Sequence, residues 1–310
     1  MSSNFQDGFA STTVRGIPLT QAYPGEVFYV SNSSVMTKNG VKGVDTSSSG
    51  SYNRPFATID YAIGKCTASR GDIIAVLPGY TQNITGAAGI ALDVAGVAIV
   101  GLGAGSLRPQ LTGTATASTF AITAANCALI NLEFLGGAED QTTWMTLSAA
   151  ATGASLEKCW FIDADSLNWI DCITLTTALS DISFIGCTWD GNDESNNAMI
   201  TGAAHDRWYM EDCRFYQNLA QATATALLVG SAVTSSVWKN CSFRSKIDGA
   251  LFIALAGANT GLISRCNFSS LDDAGAQTTH VSSGMQFFEC YTAGDADQWG
   301  LVCGDTAVYS

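Results

Sequence analysis

One short phrase recurs along the C-terminal two thirds of this chain: an apolar residue, two variable residues, a Cys or Leu, one variable residue, then an aromatic. The copies are Leu129/Leu132/Phe134, Leu156/Cys159/Phe161, Phe184/Cys187/Trp189, Met210/Cys213/Phe215, Trp238/Cys241/Phe243, Ile263/Cys266/Phe268 and Phe287/Cys290, with Thr292 in the last aromatic slot. Successive Cys/Leu positions lie 27, 28, 26, 28, 25 and 24 residues apart. Looser copies at Ile99/Leu102 and Ile73/Val76 extend the series, giving about nine units. A period of this length marks units too small to bury an apolar face alone, so each must stack on the next.

Between the phrases lies a second alternating apolar pair: Ile90/Leu92, Phe120/Ile122, Met145/Leu147, Ile173/Leu175, Leu227/Val229 and Ile253/Leu255. Alternation places one face of a strand against a core. Only 13% of residues are charged, and the polar remainder is rich in Gly, Ser, Thr and Asn, which suit turns and short strands. The expected fold is all-β: a parallel β-helix of about nine rungs, each stacked ~4.8 Å on the last. A leucine-rich repeat shares the period but needs a packed segment behind every strand, and stretches such as TTALSD and QNLAQATATA lack helical spacing. Propeller blades repeat at about 40 to 50 residues.

In such a coil Cys159, Cys187, Cys213, Cys241, Cys266 and Cys290 stack inward as small apolar side chains. A metal ladder would need convergent ligands, and in-register side chains run parallel. Disulfides between neighbouring rungs would need the correct Cβ and torsion geometry. Phe134, Phe161, Trp189, Phe215, Phe243 and Phe268 should form a second inward stack, as core and not as a sugar platform.

Upstream, Pro55 precedes Phe56, Ile59, Ile63 and Cys66 at helical spacing, which reads as a short amphipathic helix over 55–66. It would cap the open first rung. The run YNRPFATIDYAIGKCTASRGDIIAVLPGYTQNI, residues 52–84, resembles the N-terminal entry of the pectate-lyase-like superfamily, in which a PFaTI-x-x-AI helix precedes GD-x-I-x-V-x-PG-x-Y. That resemblance implies a right-handed parallel β-helix with a short N-terminal capping helix. GIPLTQAYPGEVFYVSNS, residues 16–33, together with this entry is similar to small β-helical structural proteins of tailed bacteriophages, which implies a virion component. The chain divides into an arm (1–26), an entry strand and capping helix (27–70) and the solenoid (71–310).

A net charge of −13, from 27 acidic and 14 basic residues, would repel a phosphate backbone, so nucleic acid is not an expected partner. The start lacks the basic and apolar regions of a signal peptide. The most apolar run, residues 90–105, falls short of the ~20 residues that span a bilayer, so no membrane partner is expected.

Superfamily members that cleave polygalacturonate use carboxylates with Ca²⁺ and a basic residue, or clustered aspartates. The acidic turns that invite comparison hold Asp163 and Asp165; Asp190, Asp193 and Glu194; Asp248; Asp272 and Asp273; and Asp295 and Asp297. Stacked turns would bring some within glycosidase distances of ~5 to 9.5 Å. Acidic residues also favour turns for backbone reasons and block sideways strand pairing. His205, read as part of a turn with Asp206 and Arg207, and His280 accompany no evident nucleophile. GLGAGS at 101–106 lacks a βαβ context and reads as a rung turn. No catalytic, cofactor or metal residue is therefore assigned.

Lys158, Asp212, Asn240, Arg265 and Glu289, beside the cysteines, make an outward mixed-charge stripe. Trp160 and Tyr291 also point outward, where large aromatics suit an interface. The expectation is a non-enzymatic, self-associating virion protein, a capsid decoration or cement protein, with the homotrimer supplied by analogy with phage β-helices. Its partners would be the major capsid protein or other virion proteins. The competing reading is a tailspike-like β-helix that binds or cleaves host surface polysaccharide.

Overall fold

The computed structural model describes residues 13–14, 17–18, 25–33, 37, 40–163, 167–176, 178–191, 199–217, 226–245, 251–270, 280–282, 284–293 and 299–301. Apart from one five-residue α-helix and one 3₁₀ turn at Gly105–Leu107, the regular structure among them is β. Three parallel sheets run along the coil. The first has ten strands, from Val27–Val30 and Ile73–Val76 to Met285–Phe288; the second runs in parallel from Thr81–Ile84 to Tyr291–Ala293, with Trp299–Leu301 added antiparallel at its edge; the third has eight strands, from Ile90–Leu92 to His280–Ser282. A third β-sheet thus occupies the position that a leucine-rich repeat would fill with helices. Eight strands in the third sheet bound seven complete circuits. The coil therefore has about seven full turns and not nine, because a turn is counted from one strand to the strand stacked on it, and the last phrase, Phe287/Cys290, has no third-sheet strand after it among the described residues.

The phrase is in register from rung to rung. Its first position forms the column Leu129, Leu156, Phe184, Met210, Trp238, Ile263, Phe287. Upstream this column continues through Ile99 and Ile74. Ile73 was expected there. One residue of slip sends it to the opposite face of a strand, and Ile73 instead packs outside with Val100, Val27 and Leu102. In the third sheet the column runs Ile173, Ile200, Leu228, Ile253, so the expected pair Leu227/Val229 is displaced by one.

Both predicted interior stacks exist. The six aromatics lie nearly parallel, with centroids 4.9, 5.2, 4.4, 4.8 and 5.0 Å apart in sequence order. The cysteine column is buried, and the nine described cysteines are all free.

The capping helix is shorter than expected, spanning Ile59–Ile63 with Thr58 as N-cap, and Pro55 lies outside it. Phe56 is held in extended backbone: its N–H donates to the Tyr29 carbonyl at 2.8 Å, and its own carbonyl accepts from Ser31 N–H at 2.9 Å. Helix can begin only after that strand contact ends. The Asp45 carboxylate accepts from Ala57 N–H (2.8 Å), Thr58 N–H (3.2 Å) and the Thr58 hydroxyl (2.8 Å). The Thr58 oxygen accepts in turn from Tyr61 N–H, a side-chain cap of the usual kind. Ile59, Ala62 and Ile63 close the end of the core.

The mixed-charge stripe has a backbone role. Lys158, Asp212, Asn240, Arg265 and Glu289 all have φ between 52° and 54°, and each directly precedes a column cysteine. One left-handed residue turns the chain from the first sheet into the second. Its N–H donates to the rung above, as from Lys158 to the Ile185 carbonyl (2.8 Å) and from Asn240 to the Ser264 carbonyl (3.0 Å). β-Branched residues fit this conformation worst. Asp212→Val is expected to cost about 1–2 kcal/mol in urea unfolding, with Asp212→Asn nearly neutral. Equal midpoints for the two variants would show that the corner is not conformationally selective.

Candidate functional site

The exposed face of the second sheet carries the most chemistry outside the core. Its outward column runs Gln110, Glu133, Trp160, Thr188, Arg214, Ser242, Asn267, Tyr291. Trp160 and Tyr291 are 40% and 54% exposed, as their strand positions predict. The Arg108 guanidinium lies over the Trp160 ring at 4.1 Å. Its Nε donates to Asn131 Oδ1 at 3.1 Å, and Asn131 Nδ2 donates to the Gly101 and Gly103 carbonyls at 2.8 Å. Gln110 Nε2 donates to Glu133 at 2.7 Å. A guanidinium laid on indole beside amide groups suits a flat ring, a carboxylate or a partner surface.

Around the corner at Glu289, Phe288 is 55% exposed on the outer face of the first sheet. The last described rung of that sheet thus presents Phe288 and Tyr291 on either side of Glu289 and buried Cys290. A shallow groove over Val237, Gly261, Leu262 and Gln286 lies on the first sheet, at the beginning of the strand that ends at Phe288. Arg108 and Phe288 escaped the sequence reading. Phe288 could have been found by alternation, since it follows the inward Phe287; Arg108 could not, because its placement depends on a rung 52 residues later in the chain.

Of the acidic turns, Asp163 and Asp190 are described; Asp165, Asp193, Glu194, Asp248, Asp272, Asp273, Asp295 and Asp297 lie outside the described residues. Asp163 is buried, at 1% exposure, and its N–H donates to the Asp190 carbonyl at 3.2 Å. Asp190 itself is half-buried and pairs in register with Ile162 and Tyr216. The two carboxylates therefore do not share an open cleft. Burial first, then the neighbouring carboxylates of Asp163 and Asp171, push the Cys172 thiol well above its ordinary pKa.

His205 is not in a turn. It begins the strand His205–Asp206, paired with Leu179–Ser180 and Val233–Thr234. The backbone of His280 pairs with Ile253 in the third sheet, so the two histidines occupy different strands of the rung. GLGAGS forms a rung turn, where Gly103 has φ of 130° and a β-carbon would sit 2.3 Å from the Leu107 carbonyl oxygen.

The column thiols meet backbone oxygens of the preceding rung: Cys159 Sγ lies 3.5 Å from the Leu129 carbonyl, Cys187 3.3 Å from Leu156, Cys213 3.4 Å from Phe184 and Cys290 3.3 Å from Ile263. Each donates weakly while filling a small apolar space. Burial pushes up the Cys187 thiol, and Cys66 is raised to about 12, chiefly by burial. Reactivity needs an exposed thiolate. In the folded chain at pH 8, all nine described cysteines are therefore expected to resist an aromatic disulfide reagent and to react after unfolding. Rapid native reaction of any column thiol would contradict the buried placement.

No family model matches the chain, and comparison with curated proteins finds no match. Among solved structures the chain is similar to a rhamnogalacturonan lyase, with a TM-score of 0.52 at 13% identity over 85% of this chain and 73% of that one. It is also similar to a protein described as Geobacillus virus E2 ORF18, with a TM-score of 0.33 at 14% identity over 79% of this chain and 61% of that one. The likeness to the lyase is one of fold.

Proposed function

We propose that this chain is a non-enzymatic structural component of a tailed-phage particle, an oligomeric capsid decoration or cement protein. The observation that carries the reading is the pair of large aromatics, Phe288 and Tyr291, more than half exposed on adjoining faces of one corner. Exposed aromatics grouped in this way suit a surface that another protein covers. The interior supports the same role, since its side chains stack from rung to rung and give stiffness along the rod. Residues 16–33 and 52–84 supply the resemblance to phage β-helical proteins.

A second reading has one observation in its favour. The Arg108–Trp160 stack stands on an open sheet face, and the fold neighbour is named for polysaccharide cleavage. In that reading the protein is tailspike-like and binds or cuts a glycan.

Light scattering on the purified chain, followed by binding to empty capsids and to acidic and neutral polysaccharides, separates the two. A stable oligomer that decorates capsids and leaves every glycan intact supports the structural role. A glycan cut at a rate abolished by Asp163→Asn or Asp190→Asn overturns it.

A further inference from the structure

His205 occupies a seat built for a neutral ring. It is 2% exposed, in the small parallel sheet of Leu179–Ser180, His205–Asp206 and Val233–Thr234 that turns the chain from the third sheet toward the first. Leu179 N–H donates to His205 Nδ1 at 3.3 Å, which puts the ring proton on Nε2. That nitrogen faces Gly202, where a β-carbon would lie only 2.3 Å away, and it has no hydrogen-bond partner among the described residues. The Trp208 ring stands edge-on at 5.8 Å.

A second proton has no place here. On Nδ1 it would point at the Leu179 N–H, donor against donor, and Nε2–H already lacks an acceptor. Leu179–Ser180, Ile200–Gly202 and Val233–Thr234 present no titratable side chain. On the histidine's own strand and the adjoining turn, Asp206 and Arg207 point outward and join Asp181 in exposed ion pairs. Asp206 also accepts from the Thr234 hydroxyl at 2.8 Å. Among the described residues no carboxylate is placed to hold an imidazolium.

We propose that this corner is an acid-operated latch: neutral His205 holds the three central strands together, and protonation requires the ring to leave its seat and open the corner. Burial alone lowers the folded-state value to about 4 from 6.5. The open form therefore binds more protons between those limits, and its population grows as pH falls. The latch is independent of any virion role.

Hydrogen exchange on the full chain from pH 7 to pH 4, corrected for intrinsic rates, tests it. Amides of Leu179, His205 and Val233 are expected to show an opening constant rising about tenfold per pH unit below pH 6.5. The corners at Gly96 and Asn126, which lack a histidine, serve as internal controls and stay flat. His205→Gln, whose carbonyl can accept from Leu179, should abolish the rise, His280→Gln should retain it, and Gly202→Ala should open the corner already at pH 7. A flat profile at His205, an equal rise at every corner, or a rise that persists in His205→Gln overturns the latch. If His205→Gln does not fold, the comparison of corners within the wild-type chain decides.

Discussion

Trp189→Ala is expected to destabilise the protein by roughly 3–5 kcal/mol, the largest loss from any single core truncation. The indole is fully buried, stacked on Phe161 at 5.2 Å and on Phe215 at 4.4 Å, with Phe184 edge-on at 5.7 Å. Alanine would leave a cavity in the middle of the column, and each lost aromatic pair adds about 0.5–1.5 kcal/mol to the area term. The position matters as much as the size of the residue. In a solenoid each rung touches only its neighbours, so a gap at this level weakens the coupling between the rungs on either side. Urea unfolding followed by circular dichroism and by tryptophan fluorescence should lose its coincidence in Trp189→Ala. Trp189→Phe should restore most of the stability, because phenylalanine already fills the column above and below. A loss under 1 kcal/mol for alanine would mean that the column is not the continuous core described above.

Asp72→Ala should cost about 3 kcal/mol, by removing the one acceptor that joins three parts of the entry. The carboxylate is buried. Oδ1 accepts from Glu26 N–H (2.8 Å) and Arg70 Nε (2.7 Å); Oδ2 accepts from Thr67 N–H (2.7 Å) and Arg70 Nη2 (2.8 Å). The entry strand, the segment after the capping helix and the first full rung thus meet at one side chain. Burial works to raise its pKa, but the Arg70 hydrogen bonds and the N–H groups of Thr67 and Glu26 outweigh it and hold the value below 3.8. The unfolded chain therefore takes up the proton first as pH falls. The contribution of Asp72 is complete above about pH 4 and is lost as pH drops through its lowered folded value. Wild type should lose stability in that range and Asp72→Ala should lose less. His205 acts in the separate window between 6.5 and about 4, so denaturation curves at pH 7, 5 and 3 distinguish the two groups. Identical acid profiles for wild type and Asp72→Ala would show that the carboxylate does not link the entry to the rung.

Much of the fold was legible in the spacing of Leu132, Cys159, Cys187, Cys213, Cys241, Cys266 and Cys290. A strand places alternate residues on one face, so a phrase of fixed length specifies which side chains point inward before any contact is known. The aromatic column followed from the same count, as did the outward placement of Trp160 and Tyr291. Two errors of one residue, at Ile73 and at Leu227/Val229, arose where several apolar residues adjoin and alternation offers no unique choice. The capping helix was overextended because Pro55 and Phe56 fit a helical pattern locally, whereas Phe56 is held by a bridge to Val30, 26 residues before it.

The candidate site was less legible. Lys158, Asp212, Arg265 and Glu289 look like a charged stripe because charge is visible in a sequence and φ is not. Asp163 looks like a turn residue because nothing local shows that it is buried next to Cys172. His205 reads as a turn residue beside Asp206 and Arg207, while its ring is enclosed by Leu179, Gly202 and Trp208.

The sequence alone determined the repeat, the strand periodicity and the composition of the interior columns, because these depend on distances along the chain. Only the tertiary structure decided the left-handed corners, the burial of Asp163, the Arg108–Trp160 stack and the seat of His205. Each of these depends on the rung above or below, some 25 to 50 residues away along the chain and about 5 Å away in space.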